Sequence, residues 1–232
     1  MAIIMSCSSS VISNLYESEI PSLPSGRKLY RHPTLPGSVI VFNDGIERKV
    51  LVLDAQYRVG IKDDFKKWGW NVEVPGIAQI DMNDWSIDSL TGYPDNVTDS
   101  TINTKMKDVN TSRDNTTTLV TDYPENHIPV TALYCRSVTI GDNLTCDLPN
   151  INTLMRIYLD RQYIDELDPT IDVSDTSSSS NLYRSLNTIW SRNFVWSSSE
   201  QSETYAWGIT SNGRVSSDYK GSPSCVVPVY EL

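Results

Sequence analysis

Apolar runs and turn residues alternate most sharply early in the chain, where Val39-Ile40-Val41-Phe42 and Val50-Leu51-Val52-Leu53 flank Asn43-Asp44-Gly45. Asp-Gly between two β-rich runs predicts a hairpin over Ser38 to Asp54, because glycine accepts the positive φ that a tight turn demands. A helical period takes over later. Ile151, Leu154, Met155, Tyr158 and Leu159 recur at i, i+3, i+4, i+7 and i+8 behind Asn150, a good N-cap, and predict an amphipathic helix that stops near Asp165 to Pro169. Val130, Leu133 and Tyr134, beside Ala132 and Cys135, predict a shorter helix closed by the turn Gly141-Asp142-Asn143. After a Ser-rich loop over 171–180, Leu182, Leu186, Ile189 and Trp190 suit one more short helix.

The remaining apolar positions follow a strand period: Phe194 to Ser197, Tyr205 to Thr210, Arg214 to Tyr219 and Cys225 to Tyr230, the middle two joined through Ser211-Asn212-Gly213. Pro228 marks the last strand as an edge or a bulge. Two stretches have no clear period. Residues 1–36 combine a Ser cluster with Pro21, Pro24, Pro33 and Pro36 and predict an extended arm, either disordered or ordered on another subunit. Residues 75–123 predict an irregular polar insertion within a domain spanning 37–232, either a projecting hairpin or a solvated loop. Trp68-Gly69-Trp70 is expected to plug the core rather than to stack on a ligand. These elements make an α+β fold.

Composition narrows the function more than the fold. Across 232 residues, a net charge of −10 repels phosphate backbones and anionic lipid surfaces, so no nucleic-acid partner is expected. No stretch is long and apolar enough to insert in a membrane, and Met1 to Ser10 lacks the basic and apolar regions of a secretory signal. Such a protein is expected to be made in a cytoplasm and, if it acts outside, to leave by a route other than secretion. The sequons at Asn96, Asn110, Asn115 and Asn143 carry little weight without such a signal. Cys7, Cys135, Cys146 and Cys225 are too sparse for a disulfide framework, and buried free thiols are favoured.

Three short passages carry a resemblance. Ala132-Leu133-Tyr134-Cys135 with Cys146-Asp147-Leu148-Pro149-Asn150, then Phe194-Val195-Trp196-Ser197-Ser198-Ser199-Glu200 with Tyr205-Ala206-Trp207, then Val226-Val227-Pro228-Val229, follow the "A-x-Y-C … R-L-P-x", "W-S-S-T/S-E … Y-A-W" and "V-R-P-V" passages of bacterial and phage C-type-lectin-like proteins. Val227 stands where that family commonly has Arg. The chain resembles this family strongly over about 130–232 and more loosely from 37, with Trp196, Trp207 and Pro149 as fold markers. Members without a secretion signal are often phage virion proteins. The resemblance therefore implies a head fibre, decoration or tail-associated adhesin located on the virion. It also implies an arm over 1–36 that binds other virion proteins, a homo-oligomer taken as a trimer, and a host surface glycan or protein as ligand.

The chemistry that such folds carry elsewhere is not encoded here. The E-P-N or Q-P-D loop and the W-N-D strand that hold calcium in animal lectins are absent, and Trp207-Gly208-Ile209 stands where the second would fall. No second cysteine neighbours Cys225 as in the copper-binding oxidase of related fold, His32 and His127 have no ligand at useful spacing, and no G-x-S-x-G occurs. No metal, no cofactor and no enzymatic activity are expected. The candidate ligand surface is instead a mixture of Tyr, Ser and Asn like that of antibody paratopes: Ser198, Ser199, Gln201, Glu203, Tyr205, Ser211, Asn212, Arg214, Ser216, Ser217, Asp218, Tyr219 and Lys220. Two other functions compete with adhesion: a purely structural capsid or tail connector, and a bacterial surface lipoprotein acylated at Cys7.

Overall fold

A computed structural model describes residues 23, 25–80, 98–105, 110–123, 128–177 and 179–232. They form an α+β fold of five α-helices and eleven strands in antiparallel sheets. The predicted hairpin is β2 (Gly37–Asn43) and β3 (Glu47–Leu53), in a register that sets Ile40 opposite Val50 and Val39 opposite Leu51. Its runs are apolar throughout, not alternating, because both faces are covered. Ile40, Phe42, Val50 and Val52 join one core cluster, whereas Val39, Val41, Leu51 and Leu53 join another.

Two further strands complete this sheet, in the order β1-β2-β3-β11. β1 (Lys28–Arg31) pairs with β2 along its whole length, and β11 (Val229–Glu231) pairs with β3. The arm boundary drawn at residue 36 is thereby corrected. Residues from about 27 belong to the fold: Arg27 is 2% exposed, its guanidinium bonded to Asp160 and Asp99. The strand escaped notice because Leu29 is its one buried apolar residue. Residues 1–22 lie outside the described residues.

The insertion expected over 75–123 is corrected in part as well. Ile77 and Ile80 are buried, and Gln79 bridges Glu200 in parallel. α1 (Asp99–Lys105) buries Ile102, and α2 (Ser112–Thr121) buries Leu119, Asn115 and Thr116. Thr111 and Asp114 form a reciprocal capping box at the start of α2. Asn115, one of the four sequons, is fully buried within that helix. Residues 81–97 and 106–109 lie outside the described residues.

α3 (Val130–Ser137) is the short helix expected, but it turns Thr131, Ala132 and Cys135 inward and leaves Leu133 exposed. The turn at Gly141 to Asn143 does not close the helix. It joins β5 (Thr139–Ile140) to β6 (Leu144–Thr145). α4 (Ile151–Glu166) is capped by Asn150, whose side chain accepts from the Thr153 N–H at 2.9 Å. After a 3-10 turn, α5 (Leu186–Arg192) packs on α4, with the Trp190 ring edge-on to Tyr158. β7 (Val195–Glu200), β8 (Tyr205–Ile209) and β9 (Val215–Tyr219) form a second sheet. The strand predicted over 225–230 is broken. β10 (Pro223–Ser224) pairs with β4 (Lys66–Lys67), Cys225 and Val226 make isolated bridges, and Pro228 precedes β11.

Among the described residues no helix is long and apolar enough to cross a membrane.

Candidate functional site

The segment that follows β4 is bound residue by residue to the β7–β9 sheet. Trp68 is fully buried and donates from its indole nitrogen to the Ser197 carbonyl at 2.7 Å. The Gly69 N–H donates to the Lys220 carbonyl at 3.1 Å. A Cβ at Gly69 would lie 2.1 Å from the Tyr123 hydroxyl, so a side chain there would have to displace the Tyr123 ring. That hydroxyl accepts from the Trp70 N–H at 2.7 Å and donates to the Trp70 carbonyl at 2.9 Å. Burial pushes the Tyr123 phenol up to about 12, so it stays protonated and able to donate.

Beneath this loop lies a buried ion pair. Lys220 and Glu200 are both fully buried and in direct contact. The Lys220 ammonium also donates to the Val72 carbonyl at 2.7 Å and sits 4.8 Å above the Trp68 ring. Glu200 accepts from the Val74 N–H at 3.2 Å. Burial draws the lysine below its ordinary value and the carboxyl above its own, and the salt bridge opposes both shifts. The pair thus ties β7 and the end of β9 to residues 72–74.

The result is a supported aromatic face. Trp70 is 56% exposed, and the Asn71 side chain beside it donates to the Tyr219 hydroxyl at 2.8 Å. Tyr219 stands directly opposite Tyr205, and each is 44% exposed. Thr204 and Arg214 supply the flanking ladder bonds, from the Lys220 N–H at 3.0 Å and from the Thr210 N–H at 2.9 Å. The Tyr205–Tyr219 pair therefore occupies a position without ladder bonds, where side chains come closest.

The residues expected to form one surface separate into four groups, three of them at least partly exposed and one buried. Tyr205 and Tyr219 belong to the aromatic face, with exposed Glu203 and half-buried Gln201 in the turn before β8. Ser211, Asn212 and Arg214 are exposed at the opposite end of the β8–β9 hairpin, about 17 Å away at ordinary strand rise. There they line an open groove with Thr210, Val215 and Ser216. Half-buried Ser216, Ser217 and Asp218 run between the two ends on β9.

Ser198, Ser199 and Lys220 are corrected, because all three are fully buried. The Ser199 hydroxyl accepts from the Ile151 N–H at 2.9 Å, satisfying an orphan donor at the start of α4. The Ser198 N–H donates to the Pro149 carbonyl at 2.8 Å. Polar side chains in β7 thus serve the interior. Trp196, Trp207 and Pro149 are buried, and both indole nitrogens donate to carbonyls, of Lys66 and Ile80.

Trp70 and Asn71 were missed. The Trp68-Gly69-Trp70 doublet was expected to be core as a unit, and only Trp68 is. The glycine between them was the available signal, since it lets the chain turn tightly against Tyr123.

Cys135, Cys146 and Cys225 are free and buried, and desolvation raises each thiol, Cys146 to about 12. Among the described residues no group of three or more His, Cys, Asp or Glu side chains could hold a metal ion. Comparison with family models, curated proteins and solved structures finds no match.

Proposed function

We propose that the chain is a C-type-lectin-like bacteriophage virion protein, a head fibre, decoration or tail-associated adhesin, whose Trp70–Asn71–Tyr205–Tyr219 face engages a host surface glycan or protein. The observation that carries this reading is the exposure of three large aromatics beside an amide, Trp70 and Asn71 on a loop tied down by the Lys220–Glu200 pair and Tyr205 and Tyr219 on the adjoining strands. Tyrosine and tryptophan offer a wide, stiff contact area at small entropic cost, and their hydroxyl and N–H groups add hydrogen bonds at the rim. Sugar rings present apolar C–H faces edged by hydroxyls, which such a surface complements. The order of elements supports the fold assignment: a hairpin, helices α3 and α4, Trp-marked strands, and a last strand returning beside the hairpin. In this reading residues 1–22 anchor the protein to the particle or to neighbouring subunits, and no catalysis is involved.

The test is adsorption. Labelled full-length protein should bind host cells, and replacing Trp70, Tyr205 and Tyr219 together by Ala should weaken binding about thirtyfold or more, as expected for a hot-spot cluster. Binding within twofold of wild type by a folded triple variant would sink the assignment of this face.

A further inference from the structure

Among the described residues β9 is the outer strand of its sheet, and none of them pairs with its far edge. The ladder bonds to β8 involve Arg214 and Lys220, as the 2.9 and 3.0 Å bonds to Thr210 and Thr204 establish, and by alternation Ser216 and Asp218. Val215, Ser217 and Tyr219 therefore turn their N–H and carbonyl groups away from β8. Tyr219 has its own partners: its N–H donates to the Asp218 carboxylate at 2.7 Å and its carbonyl accepts from the Ser222 N–H at 2.7 Å. The Ser217 carbonyl receives only a long 3.5 Å contact from the Ser216 hydroxyl, and no other described residue bonds to this edge. Open edges invite another strand, and this one carries no proline, lysine or bulge between Val215 and Tyr219 to deter it.

We propose that β9 pairs antiparallel with β9 of a second copy of this chain across a two-fold axis at Ser216. The open groups select the register. An antiparallel ladder bonds outward-facing residues to outward-facing residues, and among the described residues nothing makes a short bond to the N–H or carbonyl of Val215 or Ser217, whereas both groups of Tyr219 are taken. Pairing Val215 with the second copy's Ser217, and the reverse, makes four backbone bonds and places Ser216 opposite itself. In that register Arg214 of each copy stands opposite Asp218 of the other, on one face of the joined sheet, so two ion pairs flank the axis. Sliding two residues one way would instead pair Val215 with Tyr219, whose groups are taken, and two residues the other way would pair Ser217 with Gly213, whose N–H already donates to the Thr210 carbonyl. The contact is isologous and closes as a dimer. It is independent of adhesion and differs from a threefold fibre.

Sedimentation of the full chain and two charge variants tests it. Wild type should sediment as a dimer. In the Arg214→Glu homodimer both cross-pairs become Glu–Asp, and in the Asp218→Lys homodimer both become Arg–Lys, so each alone should self-associate about tenfold more weakly or worse. Mixed one to one, the two variants restore both attractive pairs, and dimers should return. A monomeric or trimeric wild type, an unweakened single variant, or a mixture of folded variants that stays monomeric would overturn the proposal. Should Asp218→Lys not fold, Arg214→Glu, at an exposed position, reads the same contact: loss of the dimer supports it and an unchanged dimer refutes it.

Discussion

Lys220 shows how far a residue's chemistry depends on what surrounds it. By sequence it is one more polar residue closing a polar strand, yet its ammonium is buried against Glu200, Val72 and the Trp68 ring. Replacing it with Met strands a carboxylate in the interior, which costs about 3–5 kcal/mol where a buried pair is broken on one side. Denaturant unfolding should show that loss for Lys220→Met, and a much smaller one for Lys220→Met combined with Glu200→Leu. An unchanged midpoint for the single variant would mean that the two charges do not meet. Ser198 and Ser199 teach the same lesson. Polarity in a sequence marks a need for hydrogen bonds without saying whether water or protein meets it, and the donor that Ser199 satisfies belongs to Ile151, remote in the chain. Trp70 erred in the opposite direction, an aromatic expected inside that stands outside.

Elements were legible where their signals are local. The β2–β3 hairpin, the N-cap and period of α4, and the β8–β9 hairpin each carry their pattern within fewer than twenty residues, and each lies where expected. α2 did not, since Ser112-Arg113-Asp114-Asn115-Thr116-Thr117-Thr118 has little helix propensity and no apolar stripe. The legible mark was Thr111 with Asp114 three residues on, a capping-box spacing lost in a polar run. The helix is held by tertiary contacts. Leu119 is fully buried among Trp68, Ala132 and Cys135, and the Thr116 hydroxyl accepts from the Leu148 N–H at 2.9 Å. Leu119→Ala should therefore cost about 2–5 kcal/mol in chemical denaturation. A cost near zero would place α2 off the core.

At the scale of the whole molecule, the least legible property was which strands meet, because β1 and β11 join the hairpin through contacts that no short pattern encodes. One buried carboxyl couples these parts. Asp147 exchanges backbone bonds with Val229 and pairs with Arg136 of α3 at 2.9 Å and Arg113 of α2 at 3.6 Å. Desolvation outweighs both guanidinium groups and raises its carboxyl to about 6. The folded protein thus holds this proton more tightly than the unfolded chain does, so the group's contribution is greatest below pH 4 and declines as pH rises through 6. Its size is on the order of 2–3 kcal/mol. Thermal unfolding of wild type should accordingly gain on Asp147→Asn as pH falls from 7 to 4. A difference that is flat across that window would remove the proton from Asp147.

The place of β11 also orders events during synthesis. β3 is made early and its outer edge, Val50 to Val52, is covered only when Val229 to Glu231 arrive. Until then the apolar half of the strand, Val50 to Leu53, presents unpaired amides to whatever is near, the kind of edge through which nascent chains aggregate. Completion of this sheet must wait for a strand about 180 residues further on, and closing so long a loop slows folding. A four-stranded sheet whose last two neighbours are so far apart in sequence is expected to lean on chaperones during expression until that last strand has docked.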